Sequence, residues 1–259
     1  VPYQKSCFFT GSQYDFMKTS PWLSDDAPGF GASSADYEKQ LVAGNTFDYT
    51  SIHGKNIAKA GCSFVSSSRL AIERALVDMK NYKMVDYIAG KQRTTLVGLD
   101  SLNFRYKVLS LTMQQRIFDY CTAGGALFLS GAYLLSDMCD SIDSFFVKKC
   151  LKVKKNTIII NPKGFVRQHF SPLLAVSDSI CYSNKPSEDI YHLTSVDALL
   201  PMEDAFPVLR YDDNGTIAAV AYKGDYRLWI MGFPFETITE SRKQQDLMLD
   251  VLNFLVREK

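Results

Sequence analysis

Amphipathic and fully apolar stretches alternate in the centre of the chain. Apolar residues recur at helical spacing across 111–123, where Thr112 and Gln115 have capping-box spacing, and Gly124-Gly125 then supplies a stop. The next run, Ala126 to Leu129, is apolar throughout, as expected of a strand covered on both faces. After Ser130-Gly131-Ala132, apolar positions at helical spacing resume between 134 and 145. This stretch therefore predicts a helix, a buried strand, a sharp turn and a second helix.

The C-terminal part has an equally clear pattern. Two predicted strands, 208–211 and 217–222, flank Asp213-Asn214-Gly215, and Asn-Gly is a strong hairpin signal because both turn positions tolerate positive φ. A further buried strand is predicted at 227–232. Thr237 and Glu240 have capping-box spacing for a final helix. Alternating helices and strands with a late hairpin predict an α/β sandwich with a mostly parallel sheet and an antiparallel hairpin near the C-terminus.

The first quarter of the chain is much less regular. Residues 1–66 contain many Gly, Pro, Ser and Asp residues, which predicts long loops with at most one short helix near 35–42. A Ser-capped helix is expected from Ser66 to about Lys80, and strands at 84–90 and 157–161. We therefore predict a single α/β domain over 1–259 with a loop-rich N-terminal excursion over 1–66.

Composition limits the classes of partner. The chain has 259 residues, 46% of them hydrophobic, which is enough for a sizeable core, and its net charge of +1 gives no long-range field to attract nucleic acid. No apolar run approaches the length of a membrane span. The sequence begins Val1-Pro2-Tyr3, without an initiator Met or a charged leader, which suggests a mature product or an excised fragment and leaves the compartment unreadable.

The six cysteines are scattered and form no CxxC pair, so neither a zinc site nor a dense disulfide framework is expected. Cys121 and Cys139 lie among apolar helical positions and are predicted to be buried thiols. There is also no Gly-rich phosphate motif, because Gly124-Gly125 precedes the central strand instead of following it. The sequence therefore predicts no metal and no cofactor.

Two segments carry a family resemblance: GGALFLSGAYLLSDM at 124–138 and RLWIMGFPFETI at 227–238. They resemble the flavodoxin-like, class I glutamine amidotransferase-like domain near the C-terminus of secreted bacterial proteins, many of which are labelled putative xanthan lyase. Segments at 28–38, 43–55 and 60–68 resemble the same group. The resemblance implies a three-layer sandwich, a secreted, periplasmic or cell-surface location, a polysaccharide or oligosaccharide partner, and other domains in a larger parent protein.

The catalytic residues of that family are missing. Class I amidotransferases need a nucleophilic Cys at the turn after the central strand and a His-x-Glu pair after the last strand. Here the turn reads Ser130-Gly131-Ala132-Tyr133 and the last strand ends Gly232-Phe233-Pro234-Phe235-Glu236, so only Glu236 remains near the acidic position. The sequence therefore predicts a non-catalytic binding or structural module of a glycan-processing protein.

The candidate pocket combines this turn with the polar and aromatic stretch at 44–55. That stretch is interpreted either as a carbohydrate or small-ligand surface or as a loop pinned by its own Asp and His side chains. The predicted pocket residues are Ser130, Gly131, Ala132, Tyr133, Glu236, Asp48, Tyr49, His53 and Trp22.

Two catalytic alternatives stay open. In a Ser-dependent hydrolase, Ser130 would be the nucleophile, with a base among His53, His169 and His192 and an orienting carboxylate among Asp100, Asp137 and Glu236. In a xanthan lyase-like polysaccharide lyase, Tyr49 with His53, or Tyr133, would be the base.

Overall fold

The computed structural model describes residues 49–96, 104–105, 107–169, 179–185 and 190–257. The helices of this part are α1 (Tyr49–Lys59), α2 (Arg69–Glu73), α3 (Leu111–Thr122), α4 (Ser141–Lys149) and α5 (Ser241–Leu252). The strands are β1 (Val85–Gly90), β2 (Thr95–Leu96), β3 (Phe104–Arg105), β4 (Ala126–Gly131), β5 (Val153–Ile160), β6 (Phe165–Gln168), β7 (Ile180–Cys181), β8 (Ser195–Pro201), β9 (Phe206–Tyr211), β10 (Ile217–Lys223) and β11 (Arg227–Met231).

Nine of these strands form one mixed, curled sheet. The order is β1-β4-β11-β10-β9-β6-β7, with β8 paired to β10 and β5 paired to β8, while β2 and β3 form a separate two-stranded sheet. Only β1 with β4 and β4 with β11 are parallel. The other pairs of the large sheet, including the hairpin of β9 and β10, are antiparallel.

The predicted fold class is therefore wrong. The protein is not a three-layer, flavodoxin-like α/β sandwich with a mostly parallel sheet, but a strand-rich mixed sheet that is mostly antiparallel. The reason lies in the connections. A parallel pair requires a crossover, usually through a helix, but none of the described residues between α4 and α5 forms an α-helix, and the strands from β8 to β11 follow one another through short turns.

The β4 strand lies at the centre of the core, and all six of its residues are buried. Side chains alternate across a strand, so Phe128 packs in one apolar cluster with α1 and α5, and Leu127 and Leu129 pack in a second cluster with α3 and α4. The predicted apolar strand at this position is confirmed.

The helix before β4 is confirmed with a different cap. Ser110, and not Thr112, caps α3, because its side chain accepts a hydrogen bond from the Met113 N–H at 3.1 Å. The predicted capping box at Thr237 is also wrong: Thr237 ends a short 3-10 turn, Phe235–Thr237, and α5 begins later without a side-chain cap.

The second predicted helix begins later than its apolar spacing indicates. Residues 132–136 form turns, held by the Asp197 carboxylate, whose Oδ2 accepts from the N–H groups of Leu135 at 2.7 Å and Ser136 at 2.9 Å. The helix α4 starts only at Ser141, after a capping box formed by Asp140 and Asp143.

The stretch from 49 to 80 differs most from expectation. The helix α1 occupies residues that were predicted to be loop, and the helix predicted from Ser66 to Lys80 is reduced to the five residues of α2. It cannot continue because Ala75 has a φ of 57°. The helix predicted near 35–42 lies outside the described residues.

The described cysteines are free thiols. Cys121 is buried as predicted, but Cys139 is exposed, because it lies in the turn region before α4 and not in a helix. None of the described helices combines the length and the apolar composition needed to cross a lipid bilayer.

Candidate functional site

A buried histidine held between two carboxylates forms the centre of the candidate site. Tyr49, His53 and Ile57 are spaced by four residues and form the buried face of α1. The His53 Nδ1–H donates to Asp86 Oδ2 at 2.7 Å, and its Nε2–H donates to Glu236 Oε2 at 3.1 Å. The imidazole therefore joins α1 to β1 and to the turn after β11.

This arrangement favours the charged imidazolium. Complete burial alone lowers the pKa of His53, but the charge and hydrogen bond of Asp86, aided by those of Glu236, outweigh it and raise the pKa to about 9. Both ring nitrogens are donors in the imidazolium, as the two carboxylate partners require. At neutral pH His53 is thus a charged structural donor, with no nitrogen lone pair available to accept a proton.

Aromatic side chains complete the surroundings. The Tyr191 hydroxyl donates to Glu236 Oε1 at 2.8 Å, and the Tyr191 ring lies 5.2 Å from that of Tyr49 between centroids. The Phe235 ring contacts the imidazole edge-on, with centroids 4.8 Å apart. Gly90, at the end of β1, has a φ of +57°, and a Cβ there would lie 3.4 Å from Glu236 Oε1. The glycine allows the strand end to pass close to the carboxylate.

A cavity of about 590 Å³ lies on the Asp86 side of this cluster. We call it the α1 cavity. Its walls come from α1, the segment 61–88 and the C-terminal end of the chain, and they are mostly apolar, including Ile57, Val77, Met79 and Leu252. His53, which is buried, and Asp86, which is half-buried, contribute polar groups to the wall. A second cavity, of about 460 Å³, reaches Glu236 from the opposite side and is lined by residues around β7.

The structure brings part of the sequence-predicted pocket together. Tyr49, His53 and Glu236 meet in the buried cluster. Asp48 and Trp22 lie outside the described residues. Ser130 and Gly131 end β4, and Ala132 and Tyr133 begin the turn after it. This segment lies next to β1, because Ser130 pairs with Ile88 and the Ala132 N–H donates to the Gly90 carbonyl at 2.9 Å.

The nucleophile of the hydrolase alternative has no activating base among the described residues. Ser130 is fully buried, and its hydroxyl has no hydrogen-bonding partner in that part of the chain. Neighbouring Gly131 and Ala132 are buried as well, and the Tyr133 hydroxyl accepts from Ser195 Oγ at 3.3 Å. Of the orienting carboxylates proposed with Ser130, Asp137 instead accepts from the backbone N–H groups of Thr94 and Val108, and Asp100 lies outside the described residues.

Cationic side chains collect where β1 and β4 end. The Lys91 ammonium lies over the Tyr191 ring at 5.8 Å from its centroid, and the Arg93 guanidinium lies over the Tyr133 ring at 4.7 Å. Burial, and then the charge of Lys91, lower the pKa of His192. The described residues contain no group of three or more His, Cys, Asp or Glu arranged to hold a metal ion.

Sequence reasoning missed Asp86, Tyr191 and Lys91. Asp86 interrupts an otherwise apolar strand, and Lys91 directly follows the glycine that ends it. A charged residue inside a buried strand requires a partner, and that signal could have marked Asp86 as a member of the site.

Comparisons with known proteins bear on the fold. No protein-family model matches the sequence, and no curated protein is similar to it. Among solved structures, a cytoplasmic protein of Salmonella typhimurium, STM3548, superposes with a TM-score of 0.52 at 14% identity, covering 81% of this chain and 87% of its own. The mmIFT52 N-terminal domain superposes with a TM-score of 0.50 at 12% identity, covering 84% and 93%. At these identities the likeness concerns the fold alone.

These findings overturn the family resemblance. Neither structure is named as a glutamine amidotransferase, and the mixed, mostly antiparallel sheet is not flavodoxin-like. The resemblance to amidotransferase-like domains of proteins labelled putative xanthan lyase is therefore wrong, and nothing in the comparisons supports those descriptions. It rested on short segments around β4 and β11, which are parallel neighbours in this fold also.

Proposed function

We propose that this chain is a non-catalytic binding module and that the α1 cavity is its binding site. The proposal depends on the two hydrogen bonds that the His53 ring donates, one to Asp86 and one to Glu236, which we call the His53 clamp. An imidazole that donates both N–H groups to carboxylates binds and orients neighbouring segments, but it is not available as a general base. Among the described residues, no base lies within hydrogen-bonding distance of Ser130, the candidate nucleophile of the hydrolase alternative.

The size and composition of the α1 cavity support a small, largely apolar ligand. Its volume of about 590 Å³ falls in the range of about 300–1,000 Å³ that is typical of small-molecule sites. Such sites combine mostly apolar walls with a few polar groups that fix the orientation of the ligand. In the α1 cavity, His53 and Asp86 are polar groups of this kind.

The sequence predictions of an oligosaccharide partner, a secreted location and a larger glycan-processing parent protein stay predictions. A sugar has many hydroxyl groups to satisfy, whereas the α1 cavity offers mainly apolar side chains such as Ile57, Val77 and Met79. The walls therefore favour an apolar ligand over a sugar at this position.

The binding test uses the neutral apolar dye Nile red, whose fluorescence rises in an apolar site. Val77 lines the cavity and is half-buried, so Val77→Trp places an indole in the space. The matched control is Leu76→Trp, because the neighbouring Leu76 is 75% exposed and does not line the cavity. We expect saturable binding by the wild type and by Leu76→Trp, and a loss of about tenfold or more in affinity for Val77→Trp, equivalent to about 1.4 kcal/mol.

Catalysis is tested on the same samples with para-nitrophenyl acetate. The proposal expects hydrolysis at the rate of free solution, unchanged by Ser130→Ala. Turnover that depends on Ser130 would overturn the non-catalytic assignment. Equal dye binding by the two Trp variants would overturn the α1 cavity as the site.

A further inference from the structure

The Lys91 side chain is buried, and within the part of the chain that the structure describes it has no counterion. The residue is 5% exposed, and its Nζ has no hydrogen-bonding partner among the described residues. None of the ion pairs formed within the described residues involves Lys91. A buried ammonium loses its hydration, and this loss is normally offset by an anion and by acceptors for its three N–H groups.

The neighbouring groups do not replace that anion. The Tyr191 ring lies 5.8 Å from Nζ, close to the limit of about 6 Å at which a ring face still attracts a cation. The two oxygens of Glu236, the carboxylate that holds Tyr191, accept from His53 and from the Tyr191 hydroxyl. Each oxygen of Glu236 therefore already has a hydrogen-bonding partner other than Lys91.

A second cation lies near Lys91, at an edge of the sheet where ligands commonly bind. Arg93 is two residues further along, over the Tyr133 ring. Burial and the Lys91 charge lower the pKa of His192, which favours its neutral form. The Gly90 carbonyl is hydrogen-bonded to Ala132, so this group adjoins the turn after β4. The carboxyl ends of parallel strands are a common position for ligand sites in sheets with crossover connections.

We propose that Lys91 is the anchor of an oxyanion site that receives the carboxylate or phosphate group of a small ligand. Arg93 adds positive charge at the same edge, and the two cations lie over the Tyr191 and Tyr133 rings. The site lies at the ends of β1 and β4 and does not include residues that line the α1 cavity. It therefore stands independently of the proposed function.

The experiment uses three sugars that share one ring and differ at a single carbon: glucuronate with a carboxylate, glucose-6-phosphate with a phosphate, and glucose with a hydroxyl. Binding is measured by calorimetry at low salt for the wild type, for Lys91→Met and Lys91→Gln, and for Lys148→Met. Lys148 is an exposed lysine at the end of α4 and provides the matched control. The histidine ring of His192 is titrated by NMR with and without glucuronate.

We expect at least one of the two anionic sugars to bind the wild type and Lys148→Met about tenfold or more tightly than glucose. The preference disappears in both Lys91 variants. The better of the two anions identifies the oxyanion class. Because a bound anion offsets the Lys91 charge, we also expect it to raise the pKa of His192.

Two results would overturn the oxyanion site. One is equal binding of the three sugars by the wild type, or a preference that survives both substitutions. The other is a loss of stability in Lys91→Met, since removing an unpaired buried ammonium should raise the melting temperature. A lower melting temperature would mean that the Asp86 and Glu236 carboxylates already balance the ammonium.

Discussion

His53 shows how two carboxylates determine the charge of a buried residue. In the unfolded chain the histidine has its usual pKa of 6.5, while in the folded protein Asp86 and Glu236 raise it to about 9 in spite of complete burial. Below pH 6.5 both states bind the proton, so the stabilising contribution of the clamp is fully present. At neutral pH the folded protein therefore keeps His53 as a cation.

The first prediction concerns the pH dependence of stability. Because the folded state keeps the His53 proton and the unfolded state releases it, the free energy of unfolding should fall as pH rises from about 6.5 to about 9. The pKa difference corresponds to a loss on the order of 3 kcal/mol. Urea denaturation at several pH values across this window measures the loss.

His53→Gln is the control for this prediction. The variant should be less stable than the wild type at pH 6.5, and the decline in this pH window should be largely absent. A variant whose stability declines as steeply as that of the wild type would assign the effect to other groups.

At the same scale, the sequence identified three members of the cluster and missed the rest. Tyr49, His53 and Glu236 stood out as polar or aromatic residues near a predicted turn or strand end. Asp86 and Tyr191 did not, since their importance depends on contacts between segments far apart in the chain, separated from their partners by 33 and 45 residues. Residue type alone does not reveal such pairings.

At the scale of elements, the helix α1 was the main omission. Gly44, Asn45 and Gly54 suggested a loop, although Tyr49, His53 and Ile57 carry the four-residue spacing of a buried helical face. Tertiary packing against β1 and the turn after β11 outweighs the low helix propensity of this stretch. The strands β4 and β11 were predictable because each is a short apolar run bounded by Gly.

The second prediction tests the packing of the turn after β11. The backbone of Gly232 passes so close to β8 that an added Cβ would collide with the carbonyl oxygen of Asp197. Gly232→Ala should therefore destabilise the protein by about 3 kcal/mol or more, because both partners are backbone groups in the core. Denaturant unfolding provides the measurement.

Gly215→Ala is the comparison for this substitution. Gly215 has a φ of +73°, a backbone conformation that favours glycine, but a Cβ at this position would meet no atom within 4 Å. Its substitution should cost only about 1–2 kcal/mol, the penalty of a left-handed backbone conformation. If Gly232→Ala lowered the free energy of unfolding no more than Gly215→Ala does, β8 would not approach this turn as closely as the structure shows.

At the scale of the whole molecule, the sequence indicated mixed helices and strands but not the sheet. An apolar run such as Ala126 to Leu129 is compatible with a central strand in either a parallel or an antiparallel sheet, because burial on both faces selects the same residues. The hairpin of β9 and β10 was recognisable from its Asn-Gly turn. The pairings of β5, β6, β7 and β8 join segments without such local signals, and the family resemblance supplied the wrong arrangement for them.

One charged residue, His53, links α1 to β1 of the curled sheet and to the turn after β11. The α1 cavity lies beside this link, between the helix, β1 and the C-terminal segment. In the function that we propose, the buried charge supports a binding site and His53 does not act as a base. The account therefore depends on the protonation state of one side chain.

The most direct test is a nitrogen-15 NMR titration of the His53 ring in the intact protein. We expect both ring nitrogens to carry protons at pH 7 and the ring to titrate near pH 9. His53→Gln identifies the resonance. A neutral ring at pH 7, with one nitrogen free of a proton, would contradict the account, because His53 would then be able to act as a base.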